Sequence, residues 1–404
     1  MQELTPAGTG MRLIYLDWIR VTAFGLLILY HVGMFYVTWD WHVKSDHVGH
    51  ALEPLMLATN PWRLTLLFLV SGVATRFMAD KLAPGALAGQ RTMRLLLPLL
   101  FGMLIIVPPQ SYYEVVEQVG YSDGYLAFWG RYLSADQSFC DADGCLILPT
   151  WNHLWFVAYL LVYTLLLTAM LKAARGPLIR FGDRLAASLT GLRLLVWPIL
   201  FLAAARLILL PMFEVTHALV DDWYNHAVSF AAFLFGFLLM KKRSVTDDLV
   251  RLRWIALGLF AVCYAAYASY VWAYRAEDAI APEALRMAMR LVYAADQWCA
   301  IVAILGFGAR HLTRDSRLLR TLTQAVFPFY IAHQTIIVVA GHHLKAAGLP
   351  ALVEGTLLVA ITAAGCWLTY EIARSVTPLR PLLGLGPRKR PARRHTLDPV
   401  AVAD

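Results

Sequence analysis

Charge is what this sequence has least of. Only 15% of its 404 residues are charged, against 59% hydrophobic, where a soluble domain of this length carries nearer a quarter charged residues. That scarcity excludes an ordinary soluble domain. The apolar runs also lack the alternation of barrel strands, which leaves helices as the way to satisfy a backbone in lipid. No cleavable signal peptide is evident. The first apolar run is too long for one, holds Asp17 and Arg20, and has no small-residue cleavage site after it. Neither a soluble domain nor an internal repeat of the transporter type is visible. Cysteine is scarce, five in all. Cys263, Cys299 and Cys366 fall inside apolar runs as small packing residues. Cys140 and Cys145 fall in a long connection, and a bridge between them is open. His42, His47, His50 and Glu53 match no zinc pattern, and Asp141-Ala142-Asp143-Gly144 opens like a calcium loop without its remainder. No metal site is expected.

What the sequence does have is apolar runs of about twenty residues, the length that crosses a ~30 Å hydrocarbon core as a helix. They predict an all-α membrane protein, a polytopic bundle of about ten transmembrane helices. The expected spans are 13–36, 62–80, 92–109, 153–172, 194–212, 223–240, 253–274, 289–309, 323–344 and 351–373. Lys and Arg collect in alternate connections: 172–193, 241–253, 310–320 and the tail with Arg388, Lys389, Arg390, Arg393 and Arg394. The connections 110–152 and 213–222 are poor in both. This bias puts both termini on the cytoplasmic side. The net charge of +8 is then an orientation signal and a contact for anionic lipid heads, and no nucleic-acid partner is expected. The organisation reads as a short cytoplasmic segment 1–12, one membrane domain 13–374 with the external loop 110–152, and a basic cytoplasmic tail 375–404. Aromatics crowd that loop (Tyr112, Tyr113, Tyr121, Tyr125, Phe128, Trp129, Tyr132), as interface anchors or as a surface for sugar rings.

Asp17, Arg20 and His31 stand in the first span. Arg20 and His31 are eleven residues apart, about three turns and ~16 Å along one helix face. Asp17 lies one turn before Arg20 and can partly neutralise it. An arginine in a membrane helix costs roughly 2.5–3.5 kcal/mol on insertion scales and normally faces protein or a watery cavity. Read blandly, this is a buried ion pair and an interfacial histidine. Arg76, Arg91 and Arg94 fall at the same expected inner end as Arg20, and guanidinium forks suit phosphate and carboxylate. His31 falls near the opposite surface.

These residues form an ordered set that resembles the acyltransferase-3 family of membrane acyltransferases. The set comprises Leu16-Asp17-x-x-Arg20, then His31, Phe68-Leu69-x-Ser71-Gly72, Arg91-x-x-Arg94, His153-Leu154-Trp155-Phe156 and Tyr330-Ile331-x-His333. Pro108-Pro109-Gln110 and the His153 segment are closest to the branch that includes the glucan-succinylating inner-membrane proteins. The resemblance covers most of the chain. It implies a multi-pass protein of the bacterial inner membrane, with acyl-CoA as a donor substrate and no permanently bound cofactor. An acetyl or succinyl group would pass to a hydroxyl of an extracytoplasmic glycan. His31 would take the acceptor proton, with Asp17 in the catalytic set and His153 as the fallback base. Arg20, Arg76, Arg91, Arg94 and Ser71 would hold the donor. His153, Trp155, Gln110, Tyr113, Glu114 and His333 are candidates for acceptor contacts or for stabilising the thioester oxyanion. Direct attack and a transient acyl-histidine are both open.

Two other classes fit less well. A transporter or flippase for a small anionic or glycan-linked substrate would use Asp17, Arg20, Asp296 and His333 as intramembrane polar groups, but lacks its repeats and broken paired helices. A membrane sensor would use the aromatic loop as its ligand surface.

Overall fold

The computed structural model describes residues 13–141, 144–276 and 278–387. The segment 1–12, the tail from 388 on, and Ala142 and Asp143 of the calcium-like sequence lie outside the described residues. Every expected span is met by a helix. In chain order these are α1 (Ile14–Met34), α2 (Glu53–Leu57), α3 (Arg63–Ala79), α4 (Pro84–Phe101), α5 (Pro108–Gln118), α6 (Tyr125–Leu133), α7 (Trp155–Ser188), α8 (Arg193–Ile208), α9 (Trp223–Leu239), α10 (Arg243–Ala273), α11 (Glu283–His311), α12 (Arg317–Lys345), α13 (Ala351–Ser375) and α14 (Leu379–Leu382). Among the described residues, 7 helical stretches are long and apolar enough to cross a membrane. The remaining expected spans correspond to α3, α8 and α9, which have 17, 16 and 17 residues.

α1 is the hub. It packs against α3, α11, α12 and α13, burying Leu16, Ile19, Ala23, Leu27 and Tyr30 in the process. Around it α3 lies on α9, α4 on α7, and α11 between α8 and α10. The α3–α9 crossing is closer than side chains allow. A Cβ on Gly72 would stand 1.9 Å from the Phe233 carbonyl oxygen, and one on Gly236 would stand 1.9 Å from the Leu69 carbonyl oxygen. Two glycines thus bring two backbones together, as small residues do between membrane helices. Packing accounts for the glycine of Phe68-Leu69-x-Ser71-Gly72.

Prolines shape two further elements. α7 breaks at Ala174 (φ −149°, ψ 46°), where Pro177 supplies no N–H for the Ala173 carbonyl. The expected span 153–172 ends at this break. α4 was expected to leave the membrane at 109, but the chain stays helical to Gln118. Pro108 and Pro109 sit at the first positions of α5, where a missing N–H costs least. The π-helical segment Gly102–Ile106 absorbs the change of register. Residues 110–118 are therefore helical, and Gln110 is fully buried.

The remainder of 119–152 folds on itself. Val115, Phe128, Tyr132, Phe139 and Leu148 form a small separate core. The Tyr132 hydroxyl donates to the carbonyls of Met103 (2.9 Å) and Thr150 (2.8 Å). Cys140 and Cys145 are joined by a disulfide. These rings pack chiefly on one another, which accounts for their number without a sugar-binding role. The connection 37–61 is pinned just as firmly. Lys44 Nζ donates to the carbonyls of Met34 (2.9 Å), Val37 (2.7 Å) and Trp39 at the end of α1. Ser45 Oγ donates to Glu354 Oε1 on α13 at 2.6 Å.

Replacing Gly72 with Ala should lower the thermal midpoint of the detergent-solubilised protein by the equivalent of about 1–3 kcal/mol, the usual cost of overpacking. Gly89→Ala in α4, where a Cβ meets nothing within 4 Å, should not lower it. Equal midpoints for both variants would mean that the α3–α9 contact is not set by backbone approach.

Candidate active site

The three histidines of the ordered motifs, far apart in sequence, converge at one end of the bundle. His31 of α1 and His333 of α12 meet with Nδ1 to Nε2 at 2.8 Å, their rings within 3° of coplanar. His333 Nδ1 lies 2.7 Å from the Tyr330 carbonyl oxygen. His153, at the start of the α7 segment, places its ring edge-on to His333 at 5.0 Å and its Nε2 3.1 Å from the Ile331 carbonyl oxygen. The Tyr330 hydroxyl donates to the His153 carbonyl.

These contacts fix the tautomers. A carbonyl only accepts, so His333 carries its proton on Nδ1 and presents a lone pair at Nε2. His31 must then donate from Nδ1, which leaves the lone pair of the neutral ring on Nε2. That atom has no protein partner among the described residues, and His31 lines a cavity of about 630 Å³. His153 is held in the opposite sense. Its Nε2 donates to Ile331, and its Nδ1 lone pair is buried without a partner.

The connections 37–61, 150–152 and 215–217 contribute to the lining of the cavity. Its aromatic walls are Trp41, Trp151, Trp155 and several tyrosines, with His217 stacked on Trp155 at 4.3 Å. Burial, with repulsion from Arg63, holds His217 below the ordinary imidazole range despite the pull of Asp222. Two residues of the rim, Asn152 (φ 40°) and His217 (φ 56°), hold left-handed backbone conformations, which outside glycine are uncommon and gather at functional sites.

Several sequence expectations need correction here. Asp17 is 3.8 Å from Arg20 and fourteen residues before His31, ~21 Å along the helix. At that separation Asp17 cannot touch His31 or a group bound beside it. Arg76 is compensated by Asp80 at 3.2 Å, which Lys241 also pairs. Ser71 lies outside the cavity, and its carbonyl accepts from Thr75 Oγ1 at 2.8 Å. Gln110, Tyr113 and Glu114 do not line the cavity either. Gln110 is used up by Thr335 (2.7 Å), Asn152 (3.1 Å) and Gln334 (3.0 Å). The Tyr113 hydroxyl meets His343 at 3.1 Å, and Glu114 meets His42 at 2.8 Å. Of the oxyanion candidates, His153 and Trp155 do line the cavity, and His333 stands behind His31.

Arg20 and His31 face the same neighbour, α12, through Thr323 O (3.3 Å) and His333. Arg91 is buried with Nε and Nη2 unpartnered, and Arg94 is exposed one turn on. Sequence reasoning missed Arg63 and Arg206, which line the cavity beside Asn60 and Gln297. The signal was present, because both are arginines inside expected apolar spans at the end poor in basic residues.

The acyltransferase-3 family model, described as an acyltransferase domain, matches residues 13–371. The chain belongs to this family of acyltransferases. Neither a curated protein nor a solved structure matches it.

His42 offers a check on the rim. Burial pulls its ring toward neutrality, but Glu114 and Asp40 outweigh burial and hold it above the ordinary imidazole range. Gln334 Nε2 sits 2.9 Å from His42 Nε2, so charging the ring requires that amide to turn its oxygen inward. A raised folded-state pKa contributes stability that is complete below the unfolded value of about 6.5 and fades as pH rises through the folded value. Wild type should therefore exceed Glu114→Gln in thermal midpoint most clearly near about pH 5.5, with the gap closing toward about pH 8.5. A gap that does not vary with pH would refute the charged pair.

Proposed function

We propose that this acyltransferase moves an acyl group, acetyl or succinyl, from acyl-CoA to a hydroxyl of a glycan, with His31 Nε2 as general base. The observation that carries this is the tautomer relay from the Tyr330 carbonyl through His333 to His31, which aims a lone pair at a walled polar cavity. The logic is that of an oriented base: a second group fixes which nitrogen is free and supports the charge that forms. His333 is thus a positioning residue, not an acceptor contact.

The acceptor hydroxyl gives its proton to His31 Nε2 while its oxygen attacks the thioester carbonyl. The C–S bond breaks, an ester C–O bond forms, and the imidazolium returns the proton to the leaving thiolate. The charged His31 donates more strongly through Nδ1 to His333 Nε2. The thioester oxyanion requires a donor nearby, and Trp155 and backbone N–H groups of the cavity rim are the candidates. His153 Nδ1 is an acceptor in the neutral ring, so His153 serves there only if protonated.

The donor enters from the other end of the bundle. Arg91 carries buried, unpartnered guanidinium atoms, which a phosphate oxygen would satisfy. Arg94 lies beside it and Arg20 further along the route to His31. The basic connections lie at this end, so the charge bias makes it cytoplasmic in a bacterial inner membrane. The glycan then meets His31 from the outer side, where Trp41, Trp151 and Trp155 offer faces for sugar rings.

His31→Ala should lower acyl transfer by about 10²–10⁴-fold without changing the KM for acyl-CoA. His333→Ala should lower kcat and displace the pH–rate profile, a readout that loose packing alone would not move. Arg91→Ala should instead raise the KM for acyl-CoA. The assignment fails if purified His31→Ala, folded by size-exclusion profile, keeps activity within about tenfold of wild type.

A further inference from the structure

The cavity beside His31 holds two guanidinium groups and no acid. Among the described residues that line it, none is Asp or Glu. Arg63 is buried (5% exposed). Its guanidinium stacks on the Tyr30 ring, 3.3 Å from Cζ to the ring centroid, and donates to Asn60 Oδ1 at 3.2 Å. Arg206 stacks on Tyr293 at 3.4 Å and donates to the Tyr224 hydroxyl at 2.9 Å. All these partners are neutral. The Nε of each guanidinium is buried and without a hydrogen-bond partner, and no carboxylate lies within 4.0 Å of either among the described residues.

The nearby acids are otherwise engaged or placed. Asp222 Oδ2 accepts from Tyr159, from the His217 backbone N–H (3.1 Å) and from Asn225 (3.0 Å), and Asp222 does not line the cavity. Asp296 is outside it as well. Arg20 has Asp17 and Arg76 has Asp80 within reach, whereas Arg63 and Arg206 share with buried Arg91 the lack of a carboxylate partner among the described residues. An arginine within a membrane bundle is costly unless charge or strong acceptors meet it. Aromatic faces return only part of that cost. Two such cations in one cavity, each with spare N–H groups, describe a site built for an anion.

We propose that Arg63 and Arg206 form an anion-binding subsite that reads a carboxylate or phosphate carried by one of the two substrates. This rests on the acyl-transfer reading and names the substrate class. Arg63 stacks on Tyr30, the neighbour of His31 in sequence, and lines the same cavity as His31, so an anion on it would share a compartment with the reacting carbonyl. That favours the terminal carboxylate of a dicarboxylic acyl group. The acyl chain would lie with its thioester at His31 Nε2 and its carboxylate between the two arginines. The other source is an acidic substituent on the acceptor glycan. Both present two or more anionic oxygens to guanidinium forks.

The test compares succinyl-CoA with butyryl-CoA on the purified full-length protein, using a neutral glucan oligosaccharide and the same glucan bearing phosphoglycerol. The two donors have equal chain length and identical coenzyme A phosphates, so their kcat/KM ratio isolates the acyl carboxylate. Wild type should prefer succinyl-CoA by about tenfold or more, the scale of a hydrogen bond to a charged group. Arg63→Gln and Arg206→Gln should each erase most of that ratio, and Arg63→Lys should restore part of it. A preference that appears between the two acceptors instead, and is erased by the same variants, supports the subsite and assigns it to the glycan. No charge preference in either arm of wild type overturns the proposal, whether or not the variants fold.

If wild type turns over no acyl-CoA at all, the acyl-transfer reading is what has failed. The subsite is then decided by binding. Succinate or inorganic phosphate should raise the thermal midpoint of wild type more than butyrate or chloride at equal ionic strength, and Arg206→Gln should lose that difference. Equal midpoints in all four salts overturn the subsite.

Discussion

The seam between α1 and α12 carries two polar contacts that lipid would punish if either were left open. At one end Arg20 reaches the Thr323 carbonyl at 3.3 Å, and at the other His31 meets His333 at 2.8 Å. Residues eleven apart on α1 therefore find residues ten apart on α12, which requires the helices to run alongside each other through both contacts. Once that seam is fixed, α1 is fixed as the hub, because its other faces pack on α3, α11 and α13. An unpaired polar group in a low-dielectric interior costs more than the net gain from a paired one. The seam is thus specified more by what misalignment would expose than by what alignment adds.

The cavity depends on a second polar network behind it. Gln110 joins Asn152, Gln334 and Thr335, and Gln334 passes on to His42 and Glu114. These residues come from α5, α12, the start of the α7 segment and the connection 37–61. Gln110 follows the π-helical segment Gly102–Ile106, in the first turn of α5, and is fully buried. Gly102 contributes in another way, since a Cβ there would stand 2.3 Å from Leu154 Cδ1. The rim of the cavity is held by buried amides and by the Lys44 clasp, not by its aromatic loop.

Helices were legible because lipid demands long apolar runs, and each expected span found one. Their ends were less so. α10 begins at Arg243 and α12 at Arg317, well before the apolar stretches at 253 and 323, because those first turns are polar and pattern reading follows hydropathy. Gln110 was misplaced for a related reason: Pro108-Pro109 reads as a stop, and only the register change shows that it starts a helix. His31, His153 and His333 were legible as motif members, but the order of their contacts was not. Which nitrogen of each ring is left free depends on carbonyl positions that no spacing reveals. Arg63 and Arg206 were legible by the argument applied to Arg20, since both lie inside expected spans 62–80 and 194–212.

The absence of a carboxylate behind His31 is consistent with those two arginines. In the familiar arrangement an acid orients the histidine and supports the imidazolium. Here an acid at the position of His333 would stand in the same low-dielectric compartment as Arg63 and Arg206, and it would compete with any anionic substrate for them. The Tyr330 carbonyl and the neutral His333 ring orient His31 without adding negative charge. A dipole anchor gives less help to the forming imidazolium than a carboxylate would. An anion bound by the arginines, as proposed, would supply the missing negative charge when substrate is present.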